Sequence, residues 1–225
     1  MTDIAVIDYG MGNLRSVAKA IEHVAPGHAV AVTSDPQVVA QASRVVFPGQ
    51  GAMPDCMREM DARNLRQAVL AAAREKPFLG ICIGLQMLFE RSEEGGVAGL
   101  ALLRGRVRRF AEPLLGAGGV KLKVPHMGWN EVRQTADHPL WQGIPGGSRF
   151  YFVHSYYVEP ADEGSIAGYS FYPAPFACAV ARDNIFAVQF HPEKSQAAGL
   201  RLLANFVAWQ PRIERSDRRQ HTSVL

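Results

Sequence analysis

The stretch KPFLGICIGLQMLFE, residues 76–90, decides how this chain folds. Pro77 to Ile81 is an apolar run of strand length, Gly80-Ile81-Cys82-Ile83-Gly84 sets a thiol between two glycines, and the residues after it read as a helix. A residue at the end of a buried parallel strand, followed at once by a helix, stands where open α/β sheets hold their ligands. The G-x-C-x-G spacing adds geometry. A sharp strand-to-helix turn strains the backbone of the residue at its apex, and side chains at positions 80 and 84 would crowd it. Unpaired amides at a helix start also favour thiolate over thiol. Free buried cysteines are commonly inert small hydrophobes, so the functional reading of Cys82 depends on a base elsewhere in the chain.

Outward from this turn, strands and helices alternate. IAVID (4–8) ends at Tyr9-Gly10, and Leu14, Val17, Ala18 and Ile21 then recur at helical spacing. HAVAVT (28–33) leads to Ser34-Asp35-Pro36, a helix-start signal, and RVVFPG (44–49) breaks at Pro48-Gly49. Residues 54–74 read as one long helix with Met57, Met60, Leu65, Ala68 and Val69 on its apolar face, followed by the strand that ends at Cys82. This alternation predicts βαβ units and a mostly parallel, buried sheet. After about residue 103 the rhythm changes to short apolar or aromatic runs between Gly and Pro: RVRRF, RFYFVHSYYVE, SIAGYS, FACAVA and IFAVQF. These predict further strands, some antiparallel, sharing one sheet and core with the first half. A final helix over roughly 195–209 is expected to bury Leu200, Leu203, Phe206 and Val207.

The bulk numbers narrow the function. With 225 residues, 48% hydrophobic and 20% charged, the chain has the composition of a globular protein. A net charge of +3, with no internal basic run interleaved with aromatics, makes nucleic acid a poor partner. The dense basic patch lies at Arg212 to Arg219 and reads as a solvated tail. Cys56, Cys82 and Cys178 are odd in number and lack CxxC spacing, which argues against a disulfide framework or structural zinc and for a reducing cytoplasm. The opening MTDIAVIDYG lacks the layout of an export signal, and no apolar run approaches the ~20 residues of a membrane span.

Among seven histidines, His191 alone follows an apolar strand and heads a His-Pro-Glu turn. In an extended segment His191 and Glu193 fall on the same side, two residues apart. A base that generates a thiolate needs one ring nitrogen free toward sulfur and the other held by an acceptor, which Glu193 can supply. Cys82, His191 and Glu193 thus form a candidate triad.

Taken together, PGQG (48–51), GICIGLQ (80–86) and FHPEKS (190–195), each at a strand end and in this order, resemble the class I, triad-type glutamine amidotransferases. The resemblance runs from Ile4 to about Gln210. It implies an α/β, flavodoxin-like domain over residues 1–210: an open mixed, mostly parallel sheet flanked by helices, with additional antiparallel strands in the C-terminal half. Residues 211–225 would be a basic tail. It further implies L-glutamine as substrate, Cys82 as nucleophile, His191 as base and then acid, and Glu193 as orienter, with no cofactor and no metal. The backbone N–H of Ile83, next after the nucleophile, and that of Gln50 would form the oxyanion hole. Where many members carry a β-branched apolar residue this chain has Gln50, but the donor is a backbone group. Gly49, Gly51, Gln86 and the backbone of His154, Ser155 and Tyr156 would surround the glutamine.

KVPHMGWNEV (123–132) places Trp129 and Asn130 in a turn better suited to docking than to catalysis. With DYGMGNLRSV (8–17) and HPEKS it resembles the branch of the family that feeds ammonia to a separate (β/α)8 cyclase subunit of histidine biosynthesis. That branch implies a heterodimer, with Asn13, Trp129, Asn130, Tyr151 and Lys194 at the partner interface or ammonia passage. A paralogous glutaminase serving another synthase is poorly separated from this on the sequence, whereas the intact Cys82, His191 and Glu193 speak against the alternative of a silent regulatory subunit.

Overall fold

The first half of the chain folds as repeated strand–helix units because each short apolar run is followed by a stripe that repeats at helical spacing. The computed structural model describes residues 2–211, so Met1 and, apart from Pro211, the expected tail lie outside the described residues. Strand β1 (Ile4–Ile7) is wholly buried, and α1 (Leu14–Val24) covers it with Val17, Ala18 and Ile21. Next come β2 (Val30–Thr33), α2 (Pro36–Gln41) and β3 (Arg44–Gly49). The Asp35 carboxylate accepts from the Gln37 N–H at 2.8 Å, with Pro36 in the first turn, as the Ser-Asp-Pro signal predicts.

The helix expected over 54–74 is two helices, α3 (Met53–Ala62) and α4 (Arg66–Glu75). Asn64, at φ 56°, breaks the chain between them. The Asn64 N–H bonds Asp61 O at 3.0 Å and the Leu65 N–H bonds Met60 O at 3.0 Å, the double closure of a helix ended by a left-handed residue. Asparagine tolerates that conformation, and the turn delivers Leu65 into the core beside Met60, both fully buried.

After β4 (Phe78–Cys82), the helix α5 (Ile83–Gln86) is a single turn, shorter than the sequence suggests. Its continuation is pre-empted: the carbonyls of Met87, Leu88 and Phe89 accept from amides of Leu100, Leu102, Leu103 and Ala101. Tertiary hydrogen bonds thus take the acceptors a longer helix would need.

The second half supplies β5 (Arg91–Ser92), β6 (Gly105–Arg109), a small hairpin of β7 (Leu114–Leu115) and β8 (Lys121–Leu122), β9 (His126–Glu131) and β10 (Arg133–Gln134). There follow β11 (Arg149–His154), β12 (Tyr156–Pro160), β13 (Ile166–Phe171), β14 (Pro175–Arg182), β15 (Ile185–Val188) and α6 (Gln196–Ala208). The large sheet runs β2-β1-β3-β4-β15-β14-β12-β6-β5, with β13 paired to β14 and β10. From β2 to β15 all neighbours are parallel; β14 turns antiparallel and begins the mixed half. The run RFYFVHSYYVE is cut at Ser155: β11 leaves the large sheet to pair with β9, and β12 lies between β14 and β6. Helix α6 buries Gly199, Leu202, Leu203 and Phe206, while the expected Leu200 and Val207 are only partly covered. The phase is set by Gly199, where an added Cβ would stand 1.9 Å from Pro192 O. Among the described residues no helix is long and apolar enough to cross a membrane.

One contact outside the site offers a stability test. The Lys76 ammonium reaches the carbonyls of Val39 at 3.0 Å and Ala42 at 2.7 Å, and also that of Ala40, closing the C-terminal end of α2. Lys76→Met keeps the stem but strands three acceptors, and we expect a loss of about 1–3 kcal/mol in urea unfolding.

Candidate active site

Cys82 lies at the carboxyl end of β4, level with Gly49 of the adjacent parallel strand β3. Its backbone sits at φ 56°, ψ −112°, a conformation that a non-glycine residue holds only when its surroundings force it. The surroundings are identifiable. A Cβ on Gly84 would stand 1.8 Å from Phe47 O, and one on Gly80 would stand 2.9 Å from the Ala187 Cβ. The two glycines let α5 lie against the strands on either side of the cysteine, which fixes the strained turn between them.

His191 follows β15, itself paired with β4, so adjacent parallel strands carry thiol and imidazole to the same end of the sheet. The ring is 2% exposed, and its Nδ1 meets Glu193 Oε1 at 2.9 Å, with the carboxylate as deeply buried. Its Nε2 is buried without a hydrogen-bond partner among the described residues. Burial by itself would push the imidazole down, but the nearby Cys82 sulfur and then Glu193 outweigh it and push the ring up to about 10. The charged imidazolium is thus the favoured form beside the sulfur and Glu193. A pKa raised on folding means that this cluster stabilises the fold fully below the ordinary imidazole range and loses that contribution as pH climbs toward 10. Glu193→Gln keeps an acceptor but removes the charge. We expect a smaller loss of catalytic turnover than from removing Cys82, with the alkaline limb of the kcat/KM profile moved to lower pH.

Cys82 and His191 line one cavity of about 360 Å³ together with Gln50, Gly51, Ile83, Gln86, His154, Ser155 and Tyr156, all expected from the sequence. Gly49, also expected there, is buried and does not line the cavity. Gln86 donates to Tyr156 O at 3.2 Å and to Gln189 Oε1 at 3.1 Å. The His154 ring is turned from the cavity: its Nε2 meets His126 Nδ1 at 2.9 Å and its Nδ1 meets Tyr156 O at 2.7 Å, among Phe110, Phe152 and Phe176. Burial pushes His154 down to about 3 and His126 to about 4, so both rings are neutral and structural.

Two residues escaped the sequence reading. Gln189, wholly buried, points its Nε2 at Cys82 Sγ at 3.7 Å; a lone amide inside the apolar run IFAVQF was the available signal. Glu94 lines the cavity and accepts from the Met53 N–H at 2.7 Å, and burial pushes its carboxyl up. It lies in a polar loop that no pattern distinguishes.

The expected docking residues fall partly together. Trp129 and Tyr151 are paired across β9 and β11 and meet edge to face at 6.2 Å, and the Lys194 ammonium lies 5.8 Å from the Tyr151 ring. Trp129 is 38% exposed. Asn130 is turned toward Phe171 O and His126, so it orders this ribbon as well as facing outward. Asn13 is exposed in the loop before α1, whose Gly12 lies beside the Gln50 amide. The Tyr151 carbonyl accepts from the His191 N–H at 2.9 Å, tying this face to the imidazole.

Comparison with known proteins bears on this arrangement. Residues 5–209 match the family described as glutamine amidotransferase class-I. The chain is 68% identical over 212 residues to the imidazole glycerol phosphate synthase subunit HisH of Nitrosospira multiformis, spanning 94% of this chain and all of that one. The same subunit of Dechloromonas aromatica is 69% identical, over 92% of this chain and 97% of its own. A solved structure of a glutamine amidotransferase superposes with a TM-score of 0.67 at 15% identity, covering 91% of this chain and 99% of that one, which speaks to the fold. With the match running through nearly every described element, from β1 to the end of α6, the chain belongs to the class I glutamine amidotransferase family.

Proposed function

We propose that this chain is the glutaminase subunit of imidazole glycerol phosphate synthase, hydrolysing L-glutamine and passing ammonia to a (β/α)8 cyclase subunit. The observation that carries the chemistry is Cys82 held at φ 56° in one cavity with an imidazole that Glu193 orients. The name shared by relatives 68–69% identical to it supports the choice of synthase.

Cys82 Sγ attacks the side-chain amide carbon of glutamine, and the C–N bond breaks as His191 delivers its proton to the departing nitrogen. Ammonia leaves and a glutamyl thioester remains. His191, now neutral, takes a proton from water, the resulting hydroxide attacks the thioester, and the thiolate departs as glutamate is released. The developing oxyanion is met by the backbone N–H of Ile83 and an amide of the loop at 48–51, where Gly51 at φ 90° lets the chain turn. Glu94, the carboxylate on the cavity wall, suits the α-ammonium of the amino acid, and Gln86 and the Ser155–Tyr156 corner its carboxylate end.

Ammonia released to bulk water would be protonated and lose its nucleophilic lone pair, so delivery calls for a covered route to the partner. The Trp129, Tyr151 and Lys194 group supports a docking face there, with Lys194 placed to meet a carboxylate on the cyclase. We assign residues 1–210 to the glutaminase domain. Three free cysteines among the described residues suit a cytoplasmic setting. The test is glutamate release from glutamine by the chain alone and with the histidine-pathway cyclase and its nucleotide substrate. We expect slow basal hydrolysis and strong stimulation by both. Absence of glutamate in either mixture overturns the reading, and stimulation by a different synthase would reassign the partner.

A further inference from the structure

Two buried donors that the mechanism above does not use stand behind the loop at 48–51. The Tyr9 hydroxyl donates to Pro48 O at 2.6 Å, and the Cys56 thiol donates to Gln50 O at 3.3 Å. Both side chains are fully buried, and the hydroxyl and thiol lie against one another. Neither lines the cavity, whereas Gln50 and Gly51 do. The fit is close: a Cβ on Gly49 would stand 2.4 Å from the Tyr9 hydroxyl oxygen.

In a trans peptide the carbonyl and the following N–H point in opposite directions. A carbonyl anchored from behind therefore fixes an amide facing forward. Cys56 holds Gln50 O, so the Gly51 N–H points away from Cys56. Tyr9 fixes the peptide two residues earlier in the same way. Between these anchors lies the Gly49–Gln50 peptide, whose N–H the family resemblance assigns to the oxyanion hole. Tyr9 and Cys56 approach from different segments, the loop just after β1 and the first half of α3, so the loop at 48–51 is held at both ends.

We propose that Tyr9 and Cys56 are positioning residues for the glutaminase reaction, anchoring the Pro48 and Gln50 carbonyls and so holding the peptides on both sides of Gly49–Gln50, the unit from which the loop's oxyanion donor comes. The inference rests on the proposed glutaminase reading. Burial holds the Cys56 thiol up at about 11 and Tyr9 higher still than a free phenol, so both remain protonated donors wherever the enzyme works. Cys56 is thereby a donor and not a second nucleophile.

The experiment compares Tyr9→Phe, Cys56→Ala and Cys56→Ser in complex with the cyclase, reading kcat and KM for glutamine alongside the rate at which iodoacetamide alkylates Cys82. Alkylation needs the thiolate but no oxyanion stabilisation. A full oxyanion donor is worth about 10²–10³ in kcat, so a loosened donor should cost about tenfold in Tyr9→Phe and in Cys56→Ala. KM and the alkylation rate should stay within about twofold, and Cys56→Ser, which keeps a donor, should recover most of kcat. Unchanged kcat in Tyr9→Phe and Cys56→Ala overturns the proposal while leaving the glutaminase reading intact. So does a parallel fall in kcat and alkylation, which marks general damage to the site. Wild-type complex that releases no glutamate defeats the underlying reading instead.

Discussion

Cys82→Ala and His191→Asn should each abolish glutamine-dependent synthesis by the complex, a loss on the order of 10⁴-fold or more, while synthesis from ammonium salts continues. The reasoning is chemical. The glutamine amide resists water, and in the proposed mechanism the route to ammonia is the thioester that Cys82 would form and His191 would carry through two proton transfers. Neither residue takes part once ammonia exists. Asparagine is the better replacement at 191, because alanine would leave the Glu193 carboxylate buried without a partner, at a cost of about 3–5 kcal/mol. The measurement is product formation with glutamine and with ammonium salt as alternative nitrogen sources. Loss of both activities would indicate failed docking or folding, and glutamine-dependent synthesis surviving in either variant would remove the assigned nucleophile or base.

Gly84→Ala should destabilise the fold by upwards of about 3 kcal/mol and lower the yield of soluble protein. The added methyl would sit 1.8 Å from Phe47 O and 2.9 Å from the Phe47 carbonyl carbon. Both are backbone atoms of β3 in the middle of the parallel sheet, so no side-chain rotation relieves the contact. Relief requires α5 to move away from β3, which would release the Cys82 turn. The matched control is Gly146→Ala, where nothing lies within 4 Å of the added carbon. Urea unfolding of the two variants side by side checks this: equal stability would mean that the elbow tolerates a side chain and that the Gly-x-Cys-x-Gly pattern is not required by packing.

Where the sequence reading succeeded, the signal was local. Strand β4 and its glycines, the Asp35-Pro36 helix start and the His191-Pro192-Glu193 turn each lie within a few residues, and each is governed by period, backbone freedom or side-chain reach. Where it fell short, distant atoms decided. The helix after Cys82 stops after one turn because Leu100 to Leu103 take its acceptors, and the 54–74 helix breaks at Asn64 so that Leu65 can enter the core. Gln189 reaches the Cys82 sulfur from a strand-end run where a lone amide was its one signal, and Glu94 reaches the cavity from a polar loop whose composition carries no mark of chemistry.

By itself the sequence determined which residue types meet which backbone positions: a thiol at a strand end between glycines, an imidazole with a carboxylate two residues on, and an alternation that commits the first half to a parallel sheet. Only the tertiary structure decided that β15 lies beside β4, which puts His191 next to Cys82. It also decided that Tyr9 and Cys56 stand behind the loop whose carbonyls they hold. The physical reason is range. Torsional preference and periodicity act over a few residues and can be read along the chain, whereas burial, hydrogen-bond competition and charge coupling act between groups that become neighbours only when the sheet closes.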